Sequence, residues 1–397
     1  MPNLQNYVRD QGNIALSEQP FNAADSLALS QLVYMPMEGL LNPGESATVA
    51  ELWSFLQEHY PNGLADVFQN KRYNLTEACA ESLRFFNLTV SDYVNHIDSA
   101  QETQFCACTF TLPSGARYIA FRGTDLTVAG WKEDLNMSYR PVPAQADAVA
   151  YVTRAAALSE GGLYLGGHSK GGHLALYAAA RAPLAVQDRI IRVYSFDGPG
   201  VDEATLQSDG YARVSLRVES FIPQSSVVGM LLCYHPLYRV VRSTGLGLLQ
   251  HDALTWQMEN GVFNTLDGLD LGTRVTDEAL RQWIDRLSME DRRLLTETVF
   301  RLISAVDPEM IDTLVQDIPG NSVKMVSAFR KLEPEVRVEM RRMLSDLFTS
   351  SANETVRKLL PAVFRRASDN PSPIAGMVEK ARARQATLRE RLRPEKN

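Results

Sequence analysis

Ser169 stands in the run Gly167-His168-Ser169-Lys170-Gly171, between a short apolar segment at residues 163–165 and an Ala/Leu-rich helical pattern that starts near His173. A serine in a Gly-x-Ser-x-Gly turn between strand and helix projects its hydroxyl above the sheet, and the flanking glycines let strand and helix pack closely. The backbone N–H of Lys170 opens the helix, where an oxyanion would find a donor. The bland reading is a glycine-rich turn that happens to expose a serine; the strand and helix patterns on either side favour a nucleophile. A phosphate loop fits less well, because it needs Gly-Lys-Ser/Thr and the order here is Ser-Lys-Gly.

A serine nucleophile requires a base within hydrogen-bond reach and an acid to orient that base. Three histidines follow Ser169: His173, His235 and His251. His173 belongs to the helix after the turn and points away from it, and His235 lies at the edge of an apolar segment. His251 follows the last strand-like stretch in a glycine-rich loop, which suits a catalytic base. His168 packs beside the serine or lines its pocket. Asp197 closes the strand-like run at residues 189–196, on the sheet edge that also carries Ser169, where open α/β sheets bind ligands. The next strand end, residues 222–229, offers no carboxylate; Glu219 precedes that turn and Asp252 adjoins the histidine too closely. Asp197 is therefore the expected acid. The N–H groups of Lys170 and Thr124, the latter in Arg122-Gly123-Thr124, are the expected oxyanion donors. Asp125 and Asp134 fit capping or ion-pair roles better than metal ligation. His59 and His96 sit near the ends of polar helical patterns and read as surface residues.

These groups need a scaffold, and the pattern around them supplies one. Residues 104–112 alternate as a strand, 117–121 form a second strand after a Pro-Ser-Gly turn, and further strand patterns cover 189–196, 213–219 and 238–242. Helical periodicity covers 25–34, with Asp25 near its N-cap, 46–60 and 145–158. Strands alternating with helices point to an α/β domain with a mostly parallel central sheet. Beyond about residue 268 strand signals stop and helical periodicity recurs at 276–287, 289–305, 321–332, 334–349 and 354–366. The expected division is an α/β domain at 1–267, a helical region at 268–370 and a basic tail at 371–397. Residues 376–397 of that tail carry seven Lys/Arg against three Glu, a run that reads as a solvated, frayed helix.

The chain has 397 residues, 45% hydrophobic and 22% charged, with a formal charge of −7. That balance is ordinary for a globular protein and gives no reason to expect nucleic acid. Four cysteines without a CxxC pair suggest reduced thiols rather than disulfides or zinc, and Cys106 and Cys108 read as core thiols. No run of 18 apolar residues and no signal-peptide core stand out, so the expectation is a cytoplasmic protein with at most peripheral membrane contact. No metal or organic cofactor is implied.

Ala120-Phe-Arg-Gly-Thr-Asp125, Trp131, Asp134, the Gly-His-Ser-Lys-Gly-Gly-His-Leu-Ala run and Tyr-Ser-Phe-Asp-Gly-Pro-Gly together resemble the class 3, fungal-type triacylglycerol lipases. They are closer still to the bacterial relatives of those lipases described as Mbeg-like. The resemblance covers roughly residues 20–260. It implies an α/β-hydrolase fold, Ser169 as nucleophile, Thr124 at the oxyanion hole and a histidine near the domain's end, which His251 matches. It also implies a small-molecule or lipid ester as substrate. Class 3 lipases usually take their acid from the turn after the following strand; here that turn reads Gln224-Ser225-Ser226. The expected activity is ester cleavage. Acyl transfer or thioester cleavage at the same site, and an inactive hydrolase fold used for binding, are the rival readings.

Overall fold

The computed structural model describes residues 2–64, 67–98, 103–124, 141–226, 228–230, 235, 237–245, 247–268, 283, 286–305 and 318–350. The chain forms two compact units, Met1–Thr273 and Arg274–Asn397.

The first unit is a mixed α/β structure. Its main sheet orders the strands β1 (Ser46–Thr48), β2 (Thr89–Asp98), β3 (Thr103–Thr111), β4 (Arg117–Phe121), β5 (Leu163–His168), β6 (Ile190–Phe196), β7 (Val218–Pro223), β8 (Tyr238–Val241) and β11 (Thr265–Leu266). The five central strands β4 to β8 are parallel, while β1 to β4 form an antiparallel meander and β11 caps the far edge antiparallel to β8. A separate small hairpin joins β9 (Met258–Glu259) and β10 (Val262–Phe263).

Each face of the sheet is buried under helices. On one face α1 (Leu4–Gln11), α2 (Ala23–Leu32), α3 (Val49–His59), α4 (Val67–Ala80) and the β9–β10 hairpin close a core that includes Leu27, Phe110, Tyr118, Phe196 and Trp256. On the other face α5 (Pro143–Ala157) and α6 (Lys170–Arg181) lie over Ile119, Phe121, Leu163, Leu165 and Val193. Leu163 and Leu165 therefore bury against α5 and α6, while Tyr164 between them turns to the opposite face, as the period-2 pleat requires.

Besides residues 46–48, which read as the start of a helix and form β1, the sequence reading differs from this structure at four places. The polar pattern that ends near His96 reads as helical, yet His96 stands exposed on β2; a meander strand with one solvated face can carry that many polar residues. Residues 213–219 are not one strand: Ser208 caps a short helix, Asp209–Val214, that buries Tyr211 and Val214, and the strand begins at Val218. The helix after Ser169 starts at Lys170 rather than near His173.

The fourth difference is in α2, where Asn22 is the N-cap and Asp25 is the third residue of a capping box. This helix is buried from Ala24 through Leu32 despite its polar residues, because each places at least one polar atom on a partner, Gln31 through its oxygen but not its Nε2. Ser26 and Ser30 bond the Tyr118 hydroxyl at 2.9 and 2.6 Å, Gln31 accepts from Arg72 at 2.9 Å, and Asp25 pairs with Arg84.

The second unit is helical where described: α7 (Met289–Ser304), α8 (Ile318–Lys331) and α9 (Pro334–Ser350). Trp283, Leu302, Phe329, Leu332, Met340 and Met343 form its own core, with the Trp283 indole N–H donating to the Met343 carbonyl at 2.7 Å. The helix expected at 354–366 and the basic tail lie outside the described residues, as does most of 276–287. Among the described residues no helix is long and apolar enough to cross a membrane.

Candidate active site

Ser169 takes φ 59° and ψ −132° between β5 and α6, a conformation that L-residues rarely adopt. Its glycine neighbours explain how the turn closes. A Cβ on Gly171 would lie 2.1 Å from the Phe121 carbonyl oxygen, and one on Gly167 would lie 2.3 Å from the Gly171 carbonyl carbon. The end of β4 thus presses against the turn, and only bare backbone fits. Gly123 belongs to the same contact, since a Cβ there would sit 3.0 Å from the Ser169 Cβ. Thr124 follows it directly in the chain.

The imidazole of His251 lies between two partners. Its Nε2 is 2.9 Å from Ser169 Oγ and its Nδ1 is 2.7 Å from Asp197 Oδ2. Asp197 occupies the turn after β6 at φ 48°, fully buried. Its other oxygen, Oδ1, accepts from the Ser226 hydroxyl and, at 3.1 Å, from the Gly229 N–H. Ser226 belongs to the turn after β7, so that turn contributes a hydroxyl to the carboxylate at the end of the neighbouring strand. The loop of His251 is anchored on both sides: Asp252 pairs with Lys71 at 2.7 Å, and the Trp256 indole donates to the Gln250 carbonyl at 2.8 Å.

His168 ties these parts together. Its Nε2–H donates to the His251 carbonyl at 2.7 Å, and the rings sit 4.7 Å apart. Its Nδ1 faces the Tyr34 hydroxyl at 3.5 Å, and the same hydroxyl accepts the Gly123 N–H at 3.0 Å. One network thus spans α2's C-terminal turn, the loop after β4 and the histidine loop. Burial, with the His251 ring second, pushes the pKa of His168 well below its ordinary value and keeps it neutral.

The other histidines and the lysine of the motif fall elsewhere. His235 is buried against the Tyr211 hydroxyl, 2.7 Å from Nδ1. His173 is buried behind the turn, bonded to Gly200 O at 2.6 Å and Gln145 at 2.9 Å. The Lys170 side chain turns away to donate to Gln104 O at 2.9 Å, so its backbone, not its ammonium, adjoins the serine. Asp125, Trp131 and Asp134 lie outside the described residues. No group of three or more metal-type ligands occurs among the described residues. Tyr34 and Ser226, both at the site, carry no signal in the sequence: they are a tyrosine and a serine brought in by packing.

The Mbeg1-like family model matches residues 79–301, more than half of the chain. The chain belongs to the Mbeg1-like family. That match contains Ser169, Asp197 and His251 together, but not the helices α1 to α3. No curated protein matches the sequence. Among solved structures the Mbeg1-like chain is similar to M37 lipase, with 13% identity over 52% of this chain and 67% of that one and a TM-score of 0.30.

The buried histidines set a pH dependence for this Mbeg1-like fold. Burial lowers the pKa of His168, His173 and His235 below the ordinary 6.5. The unfolded chain therefore takes up protons first, so stability holds above pH 6.5 and falls as pH drops below it, until the folded-state values are reached. The fully buried pair, His168 and His173, contributes a slope of at most about 1.4 kcal/mol per pH unit each. Urea midpoints should decline steadily from pH 6.5 to 5, above the range where carboxylates titrate; a flat profile there would mean these imidazoles are not held neutral.

Proposed function

We propose that the protein is a serine hydrolase that cleaves carboxylic esters through an acyl-enzyme, with acyl lipids or lysolipids as substrate class. The observation that carries this reading is the single imidazole of His251, bonded through one nitrogen to Ser169 Oγ and through the other to buried Asp197. The surrounding strand arrangement, with serine and acid at the ends of adjacent parallel strands, supports an α/β-hydrolase-type assignment.

In this mechanism Ser169 Oγ attacks the ester carbonyl carbon while His251 Nε2 takes the hydroxyl proton. Asp197 holds the proton on Nδ1 and stabilises the imidazolium. The carbonyl oxygen becomes an oxyanion, which the backbone N–H groups of Lys170 and Thr124 receive. Collapse breaks the C–O bond, and His251 returns its proton to the departing alkoxide. Water then attacks the acyl-serine by the same steps in reverse order, releasing the carboxylic acid and restoring the serine. The free thiols Cys79, Cys106 and Cys108, all buried, suit a reducing, cytoplasmic setting.

Intact-mass labelling with a fluorophosphonate tests this proposal. One adduct per chain is expected, absent in Ser169→Ala and slowed at least a hundredfold in His251→Ala. Stoichiometric labelling that survives Ser169→Ala, or no labelling of folded wild type, would overturn it.

A further inference from the structure

The opposite end of the sheet holds a second concavity. A cavity of about 770 Å³ opens beneath the start of α2, within the size range of small-molecule sites. Its floor is the sheet itself: Tyr164 of β5, Arg192 and Tyr194 of β6, Glu219 and Phe221 of β7, and Arg239 of β8. Phe21, from the segment leading into α2, and Phe263 of β10 form the walls. Tyr164 precedes Ser169 by five residues along β5, about 16 Å at roughly 3.3 Å per residue, while Phe221 comes nearest the site through its carbonyl, which accepts the Asp197 N–H at 2.7 Å. None of Ser169, Asp197 and His251 lines the cavity.

The walls are aromatic, and their rings meet one another tilted or edge-on. Phe21 lies 5.0 Å from the Tyr164 ring and 6.4 Å from the Tyr194 ring, and Phe221 lies 4.8 Å from Phe263. The polar groups are mostly donors. The Tyr164 and Tyr194 hydroxyls make no hydrogen bond among the described residues, although Tyr194 is only 4% exposed. Burial, then the nearby Glu219 charge, pushes the Tyr194 hydroxyl pKa up, so the hydroxyl keeps its proton.

Glu219 is the one acidic side chain on the cavity wall, and both its oxygens are engaged. Arg192 Nε lies 3.4 Å from Oε1 and Arg239 Nη1 lies 3.5 Å from Oε2. Two guanidiniums against one carboxylate leave a net charge of +1 and several unspent N–H groups. A cationic guest would meet two arginines, and a neutral apolar guest would leave the phenol hydroxyls unpaired at a cost.

The geometry points to a binding site for a small planar aromatic molecule that carries one anionic group, laid against the aromatic wall of Phe21, Tyr164 and Tyr194 with its anion on Arg192 and Arg239. This site does not depend on the proposed hydrolase activity.

The test is a fluorescence titration of the full chain with 8-anilinonaphthalene-1-sulfonate, read for stoichiometry and Kd. One saturable site is expected. Arg239→Glu reverses a charge on an exposed side chain and should raise Kd at least tenfold. Arg154→Glu, the same change at an arginine over Tyr151 on the other face, should leave Kd within twofold. Ser169→Ala should also leave it unchanged. Absence of saturable binding, loss of binding in Ser169→Ala, or equal effects of the two charge reversals would each overturn the assignment.

Discussion

Asp197→Asn is expected to lower kcat by about 10⁴-fold while leaving the fold and KM near wild type. The reasoning starts from what surrounds the carboxylate. Ser226 Oγ, the Gly229 N–H and His251 Nδ1–H all donate to it, so the site wants a group that only accepts. Asparagine has one accepting oxygen and a donating NH₂. The oxygen satisfies the two donors on Oδ1, and the NH₂ is left facing His251 Nδ1. The imidazole must then present a lone pair there and carry its proton on Nε2, toward Ser169, where it cannot accept the serine proton. The change costs the backbone little, because asparagine tolerates the left-handed φ of 48°. Chemistry suffers and binding does not, so the loss falls on kcat. Ser226→Ala removes one of three donors and should cost roughly ten- to a hundredfold, in line with about 1.5–3 kcal/mol for a hydrogen bond to a charged group. Steady-state kinetics on any ester that the wild type cleaves separates the cases. An Asp197→Asn enzyme within tenfold of wild type would remove Asp197 from the mechanism.

Much of this site is legible in the chain because it is local or directional. The turn at Ser169 announces itself through Gly167 and Gly171, whose missing side chains are required by the Phe121 carbonyl and by the turn's own backbone. Asp197 follows from topology, since parallel neighbours end on the same edge and the acid must come from such an end. His251 follows from chain order. What escapes is long-range and depends on packing. Tyr34 meets His168 across more than 130 residues of chain, and Ser226 reaches Asp197 across 29; neither side chain is unusual where it stands. The fold shows the same division. β3, alternating, and β4, a short apolar run, flank a turn and can be read directly, whereas β2, half-solvated, carries too many polar residues to alternate. In α2 periodicity finds the helix but not its burial: its serines, aspartate and glutamine mimic a solvated face, yet Tyr118, Arg84 and Arg72 come from distant segments to satisfy them.

The Arg84–Asp25 pair carries the largest expected effect on stability. Both side chains are fully buried, and Arg84 meets Asp25 through Nε at 2.6 Å and Nη2 at 2.5 Å. The remaining donors reach the carbonyls of Ile14, Gln19 and Pro20, so all five N–H groups of the guanidinium are placed. Tyr7 adds a hydrogen bond to the same carboxylate at 2.8 Å. Arg84→Met keeps volume but strands the aspartate charge and frees the segment that leads into α2. A loss of about 3–5 kcal/mol is expected, the usual cost of breaking a buried pair from one side. Arg84→Lys separates charge from geometry: it retains the cation but offers three donors on a flexible stem, so roughly half that loss should remain. Removing both charges in Asp25→Leu/Arg84→Met relieves the stranded carboxylate and should be less damaging than Arg84→Met alone, although the three freed carbonyls keep it below wild type. Urea unfolding of wild type and these three variants at pH 7 measures the effects. If Arg84→Met falls within about 1 kcal/mol of wild type, well under the usual cost of a stranded buried charge, the pair does not hold the N-terminal segment to the turn after α4, and the support for α2 must come from its apolar contacts.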